Sequence, residues 1–193
     1  MKLQLFYPLS IVIASSSYGI LSTIIKVAMG YGFTSPEAVT SQYFMGFLLA
    51  LLLFSVTQRS LPKLNFSGFI TILLAGIFTA TTGIVYGHAL EYITASLAVV
   101  LFFQFTWIGL FIDCILHKRW PNRFETSSLL FLFSGTILAA GVMDTDLSTI
   151  PWQGWVYGLI AATSFAIFIQ INSRKVEGIT TVTRTLFMSI VAF

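Results

Sequence analysis

Long stretches without a charged residue alternate with short polar connections along this chain. Six stretches of at least 18 residues contain no Asp, Glu, Lys or Arg. Because a helix needs about 20 apolar residues to cross roughly 30 Å of hydrocarbon, each stretch is long enough to span a bilayer. The pattern therefore predicts six transmembrane helices, at Leu3–Ile25, Ala38–Gln58, Leu64–Leu90, Tyr92–Ile112, Thr126–Met143 and Leu147–Ser173.

Composition agrees with an all-α integral membrane protein folded as a helical bundle. Hydrophobic residues make up 56% of the chain and charged residues only 9%, whereas soluble domains carry about 25% charged residues. The net charge of +3 does not indicate a nucleic-acid partner, because the basic residues lie in short loops beside apolar spans. In that position they meet lipid headgroups and set the orientation.

The basic residues predict that the amino terminus is cytoplasmic. Lysine and arginine concentrate in the cytoplasmic loops of membrane proteins. Nine of the ten basic residues would lie on one side of the membrane, and the tenth, Lys26, lies within the first span. The nine are Lys2, Arg59, Lys63, Lys118, Arg119, Arg123, Arg174, Lys175 and Arg184. We therefore expect a multi-pass protein of the cell membrane, inner or plasma.

A short internal similarity predicts an inverted repeat. At an offset of 147 residues, Ala14–Ile20 (ASSSYGI) lies over Ala161–Ile167 (AATSFAI), with three identities. Five spans separate the two copies, so the second enters the membrane from the opposite side, as in many secondary transporters. The offset places the start of a seventh span near Thr183. We expect this chain to be the first part of a ten-span protein of roughly 295 residues, cut short within span seven.

Several segments resemble EamA-type proteins of the drug/metabolite transporter superfamily. They are Tyr18-Gly19 followed by Lys26, Ala89–Ser96 (ALEYITAS), Ser134–Val142 (SGTILAAGV) and the segment from Gly154 to Lys175. The resemblance implies a first EamA repeat over residues 1–143 and an incomplete second repeat over residues 152–193. It also implies transport of a small metabolite by alternating access.

Three positions depart from the family pattern. The family often has an arginine in span two, where this chain has Gln42. It usually has a proline in span four, where Phe105 or a neighbour stands. The acidic residue common after span four is replaced by the stretch His117–Arg119. These differences affect the expected substrate more than the expected fold.

Lys26 and Ser22 are the first candidates for a substrate site. Gly19, Ser22 and Lys26 share one helix face, so a small, polar stripe and a charge could line a pathway, with Lys26 attracting an anionic group. The alternative is that Lys26 extends to the headgroups at the outer end of its helix. In span four, Gln104 and Trp107 also share a face and either bind substrate or pack helices.

The remaining candidates are weaker. Tyr86 is a further residue that could contact substrate. Glu91, at the outer end of span three, either pairs with Lys26 or acts in an outer gate, or it is a solvated loop acid. Asp113 lies near the cytoplasmic face, where we expect it to pair with His117 or the loop arginines; a proton relay is the alternative.

Two stripes of small residues predict close helix packing rather than binding. One recurs every four residues in span three and the other in span six, and such stripes allow backbones to approach closely. The positions are Ala75, Thr79, Gly83 and Gly87, then Gly154, Gly158, Ala162 and Ala166.

These observations predict a secondary transporter of a small solute, such as an amino acid or drug-like molecule, and not an enzyme. An enzyme would need clustered ionisable groups, and the chain offers only His88, His117 and Cys114, on different sides. We expect no cofactor, no metal and no nucleic acid; the partners are a small-molecule substrate and the bilayer. A homo-oligomer is left open.

There are two alternatives to this class. Small multidrug exporters with four spans rely on an acidic residue in the first span, and this chain has no acidic residue before Glu37. The other alternative is a non-transporting membrane assembly protein or an inactive fragment.

Overall fold

The computed structural model describes residues 2–58, 65–139, 150–174, 176 and 178–193, without the side chains of 2–8, 11, 14, 15, 18 and 139. The predicted loop basic residues Arg59, Lys63 and Lys175, and the boundary of the first repeat at residue 143, lie outside this part. Eight helices occupy the described ranges: α1 (Lys2–Gly30), α2 (Ser35–Thr57), α3 (Phe66–Tyr92), α4 (Ala95–Phe102), α5 (Phe105–Leu116), α6 (Arg123–Ala139), α7 (Trp152–Asn172) and α8 (Thr181–Ala192).

Helices of bilayer length account for most of the described chain, as the hydrophobic pattern predicted. Four segments are both long and apolar enough to cross a membrane: α2, α3, α7 and the pair α4 and α5 taken together over Ala95–Leu116. α1 and α6 are helical where the first and fifth spans were predicted. The described residues therefore form an all-helical membrane bundle.

The most extensive contact between two helices of the bundle joins α3 and α7. Ala75 of α3 and Ala161, Ala162 and Ala166 of α7 are 0% exposed. Ser164 adds a hydrogen bond between the two helices, because its hydroxyl donates to the carbonyl of Phe78 at 3.0 Å. Small side chains and one interhelical hydrogen bond thus hold the backbones close together.

The glycines of both small-residue stripes are required by neighbouring side chains. A Cβ at Gly158 would lie 2.7 Å from Leu101 Cδ1, and one at Gly154 would lie 2.5 Å from Ile93 Cγ2. A Cβ at Gly83 would overlap Tyr43, whose hydroxyl donates to the carbonyl of Thr79 at 2.5 Å. The prediction that these stripes pack helices is confirmed: the α3 stripe contacts α2, and the α7 stripe contacts α4 and the end of α3.

The fourth predicted span is broken in the middle. α4 ends at Phe102 and α5 begins at Phe105, with a tight turn at Phe103 and Gln104. The amide of Gln104 donates to the carbonyl of Leu101 at 3.2 Å, one residue closer than in an α-helix. The carbonyl of Val100 therefore loses the backbone amide that would bond it in an α-helix. The side-chain amide of Gln104 donates to this carbonyl instead, at 3.0 Å. A glutamine side chain therefore stabilises the break in this span.

α8 begins at Thr181, two residues before the start that the repeat offset predicted. Its cap, Thr180, accepts the amide of Thr183 at 3.4 Å. Thr183 is fully buried and donates its hydroxyl to Gln58 Oε1 at 2.6 Å, while the Gln58 amide donates to Thr180. This cluster ties the start of α8 to the end of α2, and Phe193 then reaches Phe44, with ring centroids 5.4 Å apart.

Candidate functional site

A cavity lined by several hydroxyl groups lies between α1, α4 and α6. Its volume is about 210 Å³. Ser22 is the buried hydroxyl in its wall, at 2% exposure. The lining residues are Gly19, Ser22 and Thr23 from α1, Ala95, Ser96, Val99 and Val100 from α4, Phe103 from the break, and Thr136 from α6. The cavity therefore combines small residues, apolar groups and four hydroxyls.

The cavity hydroxyls of Ser22 and Thr136 present acceptors rather than free donors. Ser22 Oγ donates to the carbonyl of Gly19 at 3.5 Å. Thr136 Oγ1 donates to the carbonyls of Leu132 and Phe133, at 2.9 and 3.0 Å. Each hydroxyl has two acceptor lone pairs in addition to its single donor. A ligand in this cavity can therefore donate N–H or O–H groups to Ser22 and Thr136.

Lys26 lies one helical turn beyond Ser22 on α1, about 6 Å further along the helix axis. Its side chain is half-buried and does not line the cavity. Lys26 forms no ion pair with any residue in the described part of the chain. A positive charge therefore stands near one end of the cavity without a protein counter-charge.

Gln104 and Trp107 contact each other instead of the cavity. Trp107 Nε1 donates to Gln104 Oε1 at 2.8 Å, and the amide of the same glutamine caps Val100. For Gln104 the geometry favours helix packing over substrate binding. Its side-chain nitrogen donates to the carbonyl of Val100, and its side-chain oxygen accepts from Trp107. Trp107 instead lines a separate groove on the outer surface of α5.

Tyr86 is part of the helical core. It is 8% exposed, and its ring meets that of Phe102 edge to face at a centroid distance of 5.2 Å. Of the five candidates for substrate binding, only Ser22 lines the cavity, with Lys26 one turn away. The structure therefore does not bring Tyr86, Gln104 and Trp107 into one site with Ser22.

Glu91 contacts His88 and not Lys26. The Glu91 Oε1 atom lies 3.1 Å from His88 Nδ1, three residues earlier on α3. The His88 ring in turn lies against Tyr157 of α7, with centroids 5.8 Å apart. The expected pairing of Glu91 with Lys26 is therefore not among the ion pairs of the described residues, where Glu91 contacts His88 instead.

Asp113 belongs to an ion cluster at the turn between α5 and α6, as the sequence predicted. His117 Nδ1 lies 3.0 Å from Asp113 Oδ1, and Arg119 Nη2 donates to Asp113 Oδ2 at 2.5 Å. Arg119 Nη1 also donates to Glu125 Oε2 at 2.9 Å. The hydrogen bonds from Arg119, and then the amide of Asn122, lower the pKa of the Glu125 carboxyl below its ordinary value. The bonds to Glu125 and Asp113 raise the pKa of Arg119.

Three hydroxyls of the cavity were not singled out by sequence reasoning. Thr23, Ser96 and Thr136 come from three different segments. Ser96 and Thr136 lie inside the segments that carry the EamA resemblance, so a search of those segments for hydroxyls would have found them. No group of three metal-ligating side chains occurs in the part of the chain that the structure describes.

Apolar helices of bilayer length packed around a cavity define a helical membrane protein with room for a small solute. A comparison with family models identifies the class more closely. Residues 5–141 match the EamA-like transporter family, and the chain belongs to that family. EamA-type proteins form part of the drug/metabolite transporter superfamily, whose members are membrane transporters. No curated protein and no solved structure matches the chain.

Proposed function

We propose that this protein moves a small metabolite across the cytoplasmic membrane by alternating access. The observation that carries the proposal is the cavity between α1, α4 and α6, whose wall includes the broken turn of span four. Binding sites of secondary transporters form at discontinuous helices. A cavity with several hydroxyl groups beside such a discontinuity supports solute binding better than a purely structural role.

The chemistry of the cavity favours an amino acid or a similar small zwitterion. Ser22 and Thr136 offer acceptors for an ammonium or hydroxyl group. Lys26, one turn away, offers a positive charge for a carboxylate. Pockets for drug-sized ligands have volumes of about 300–1,000 Å³; the volume of about 210 Å³ favours a smaller solute.

The break in span four supplies the moving part. Phe103 lines the cavity and belongs to the turn at which α4 and α5 meet. A change in the angle between the two helices would therefore move a wall of the cavity. The tight turn at Gln104 already departs from α-helical hydrogen bonding, which makes it a natural hinge.

The topology that we propose follows from the charges and the repeat. The amino terminus faces the cytoplasm, so α1 runs outward and α7 runs inward. α7 and α8 then begin the second, inverted EamA repeat, which rocks against the first. The start of α8 at Thr181, close to the offset of 147 residues, supports this arrangement.

Uptake into proteoliposomes tests the proposed substrate class. A panel of radiolabelled amino acids and other small metabolites should include at least one zwitterion that the full chain transports. Ser22→Ala and Lys26→Gln should each lower that uptake by about tenfold or more, since hydrogen bonds to charged groups contribute about 1.5–3 kcal/mol. Lys26→Arg should retain a substantial part of it.

Ser134→Ala is the matched control. Ser134 lies on the same helix as Thr136 and its hydroxyl bonds Leu130, but it is exposed and lies outside the cavity. Uptake by Ser134→Ala should equal that of the parent. Full uptake by correctly folded Ser22→Ala and Lys26→Gln would reject the proposed site.

A further inference from the structure

A second concave site lies on the membrane-facing surface between α5 and α6. Its volume is about 420 Å³. The wall is apolar along most of its length and basic at one end. The apolar residues are Trp107, Leu110, Phe111, Cys114, Ile115, Pro121 and Leu129; Lys118, Arg119 and Trp120 close the other end. We call this site the α5–α6 groove.

The length of the groove matches one leaflet of a bilayer. Trp107 and Lys118 are eleven residues apart, or about 17 Å at 1.5 Å per residue. One leaflet of a hydrocarbon core of about 30 Å measures about 15 Å. Phe111 and Ile115 are largely exposed along this length. The groove therefore runs from the headgroup level towards the middle of the membrane.

The two cations at the end of the groove differ in availability. Arg119 is engaged by the carboxylates of Asp113 and Glu125. Lys118 forms no ion pair within the described part of the chain. Trp120 beside it is almost fully exposed, which suits an aromatic residue at the level of the headgroups.

The backbone holds Lys118 in a conformation that normally selects glycine. Its φ is 50°, and within the described residues it is the only non-glycine with a positive φ. The amide of Arg119 donates to the carbonyl of Cys114 at 3.0 Å, and that of Lys118 donates to Ile115 at 3.3 Å. These two bonds form a Schellman motif, in which glycine usually occupies the position of Lys118. A lysine here is locally unfavourable and places a free ammonium at the mouth of the groove.

We propose that the α5–α6 groove binds an anionic phospholipid of the cytoplasmic leaflet. One acyl chain lies against the apolar wall, and the headgroup phosphate contacts Lys118, with the Trp120 indole at the same level. Charge complementarity carries the choice of lipid, because the free cation stands where the phosphate of a lipid in that leaflet would lie. The choice of leaflet rests on the proposed orientation of the chain, whereas the groove itself is independent of the transported solute.

Fluorescence quenching by brominated lipids tests this proposal on the full chain in nanodiscs. Trp152→Phe and Trp155→Phe leave Trp107 and Trp120, both in the groove, as the only tryptophans. At equal mole fraction, brominated phosphatidylglycerol should compete for the groove about fivefold better than brominated phosphatidylcholine. That is the size of effect expected for one lysine at an anionic surface.

Lys118→Gly separates binding from folding. Glycine relieves the positive φ, so the variant should melt at or above the temperature of the parent, yet its preference for phosphatidylglycerol should disappear. Arg123→Gln removes a charge at the start of α6, outside the groove, and should keep the preference. Equal quenching by both lipids in the parent would overturn the proposal. So would a preference that survives in Lys118→Gly, or one that is lost equally in Arg123→Gln.

Discussion

The two sides of this bundle are packed in different ways. Where α7 packs against α3, alanines are completely buried, and Gly154 of α7 leaves no room for a Cβ beside Ile93 at the end of α3. Around α6 the packing is loose, because this helix makes only slight contact with α4. None of the α6 side chains that the structure describes is buried. The hydroxyl-lined cavity lies on this loosely packed side, beside the break in span four.

Tight packing and loose packing indicate which parts of the bundle are rigid and which can move. A seam of small residues has few alternative arrangements, because any displacement opens a gap or forces a clash. A loosely attached helix beside a broken one can shift at lower cost. We infer that the α3–α7 seam is the frame and that α1, α4 and α6 surround the space that changes during transport.

The largest expected difference between the two sides comes from a matched pair of glycines. Gly154→Ala, at the contact of α7 with the end of α3, places a Cβ 2.5 Å from Ile93 Cγ2 and 3.2 Å from Tyr92 Cβ, which should cost about 1–3 kcal/mol. Gly135→Ala on α6 meets nothing within 4 Å and should be neutral or slightly stabilising. Thermal unfolding in detergent would measure both, and equal losses would contradict the comparison.

The break in span four is the next place to test. Gln104→Leu leaves the carbonyl of Val100 and the indole of Trp107 without their partner, and should cost about 1–3 kcal/mol. Trp107→Phe removes only the indole bond and should cost less. A Gln104→Leu variant no less stable than Trp107→Phe would show that the glutamine does not hold the break.

Much of the fold could be predicted from the sequence, because the bilayer imposes length and apolarity on each span. Helical segments lie within the six expected spans, and four of them are long and apolar enough to cross a membrane. The small-residue stripes marked helix faces that pack closely against neighbouring helices. The break in span four was missed because neither proline nor glycine marks it. The break depends on the Gln104 side-chain amide, which replaces a backbone N–H as the donor to the carbonyl of Val100. A hydrophobicity pattern contains no information about such a bond.

The site was less predictable than the fold. Ser22 stood out because a hydroxyl shares a helix face with Lys26. Thr136 and Ser96 could not be joined to it, since the cavity depends on how three helices meet in space. Gln104 and Trp107 were correctly placed on one face, but that spacing also allowed them to bond each other.

A smaller effect is expected where α8 joins the seam side. Thr183→Val removes the hydrogen bond to Gln58 in a fully buried position. Polar contacts between membrane helices contribute about 0.6 kcal/mol on average and up to about 1.7, and the loss of stability should lie in that range. Thr185→Val is the control, because its hydroxyl is exposed and bonds only Thr181 on its own helix. Equal losses would show that the cluster adds nothing.

The smallest effect concerns pH at the turn between α5 and α6, on the loosely packed side. The pKa of Glu125 is lowered by Arg119. The carboxylate therefore stabilises the turn fully above its ordinary pKa of 4.5, and this stabilisation is lost as the pH falls through the lower folded-state value. After correction for the pH dependence of the intrinsic exchange rate, the hydrogen-exchange protection of residues 117–122 should fall in that acidic range. Glu125→Gln should already exchange faster at neutral pH, and the same acid response in that variant would contradict the assignment.

The central claim is that the space between α1, α4 and α6 is an aqueous path for solute. Labelling of a single thiol tests it most directly, with Ser96→Cys in a Cys114→Ser background. A membrane-impermeant thiol reagent added from outside should modify this cavity position and abolish solute uptake. The lipid-facing control, Leu130→Cys on α6, should neither react nor lose uptake. A Ser96→Cys thiol that never reacts, or that reacts while uptake continues unchanged, would contradict the account.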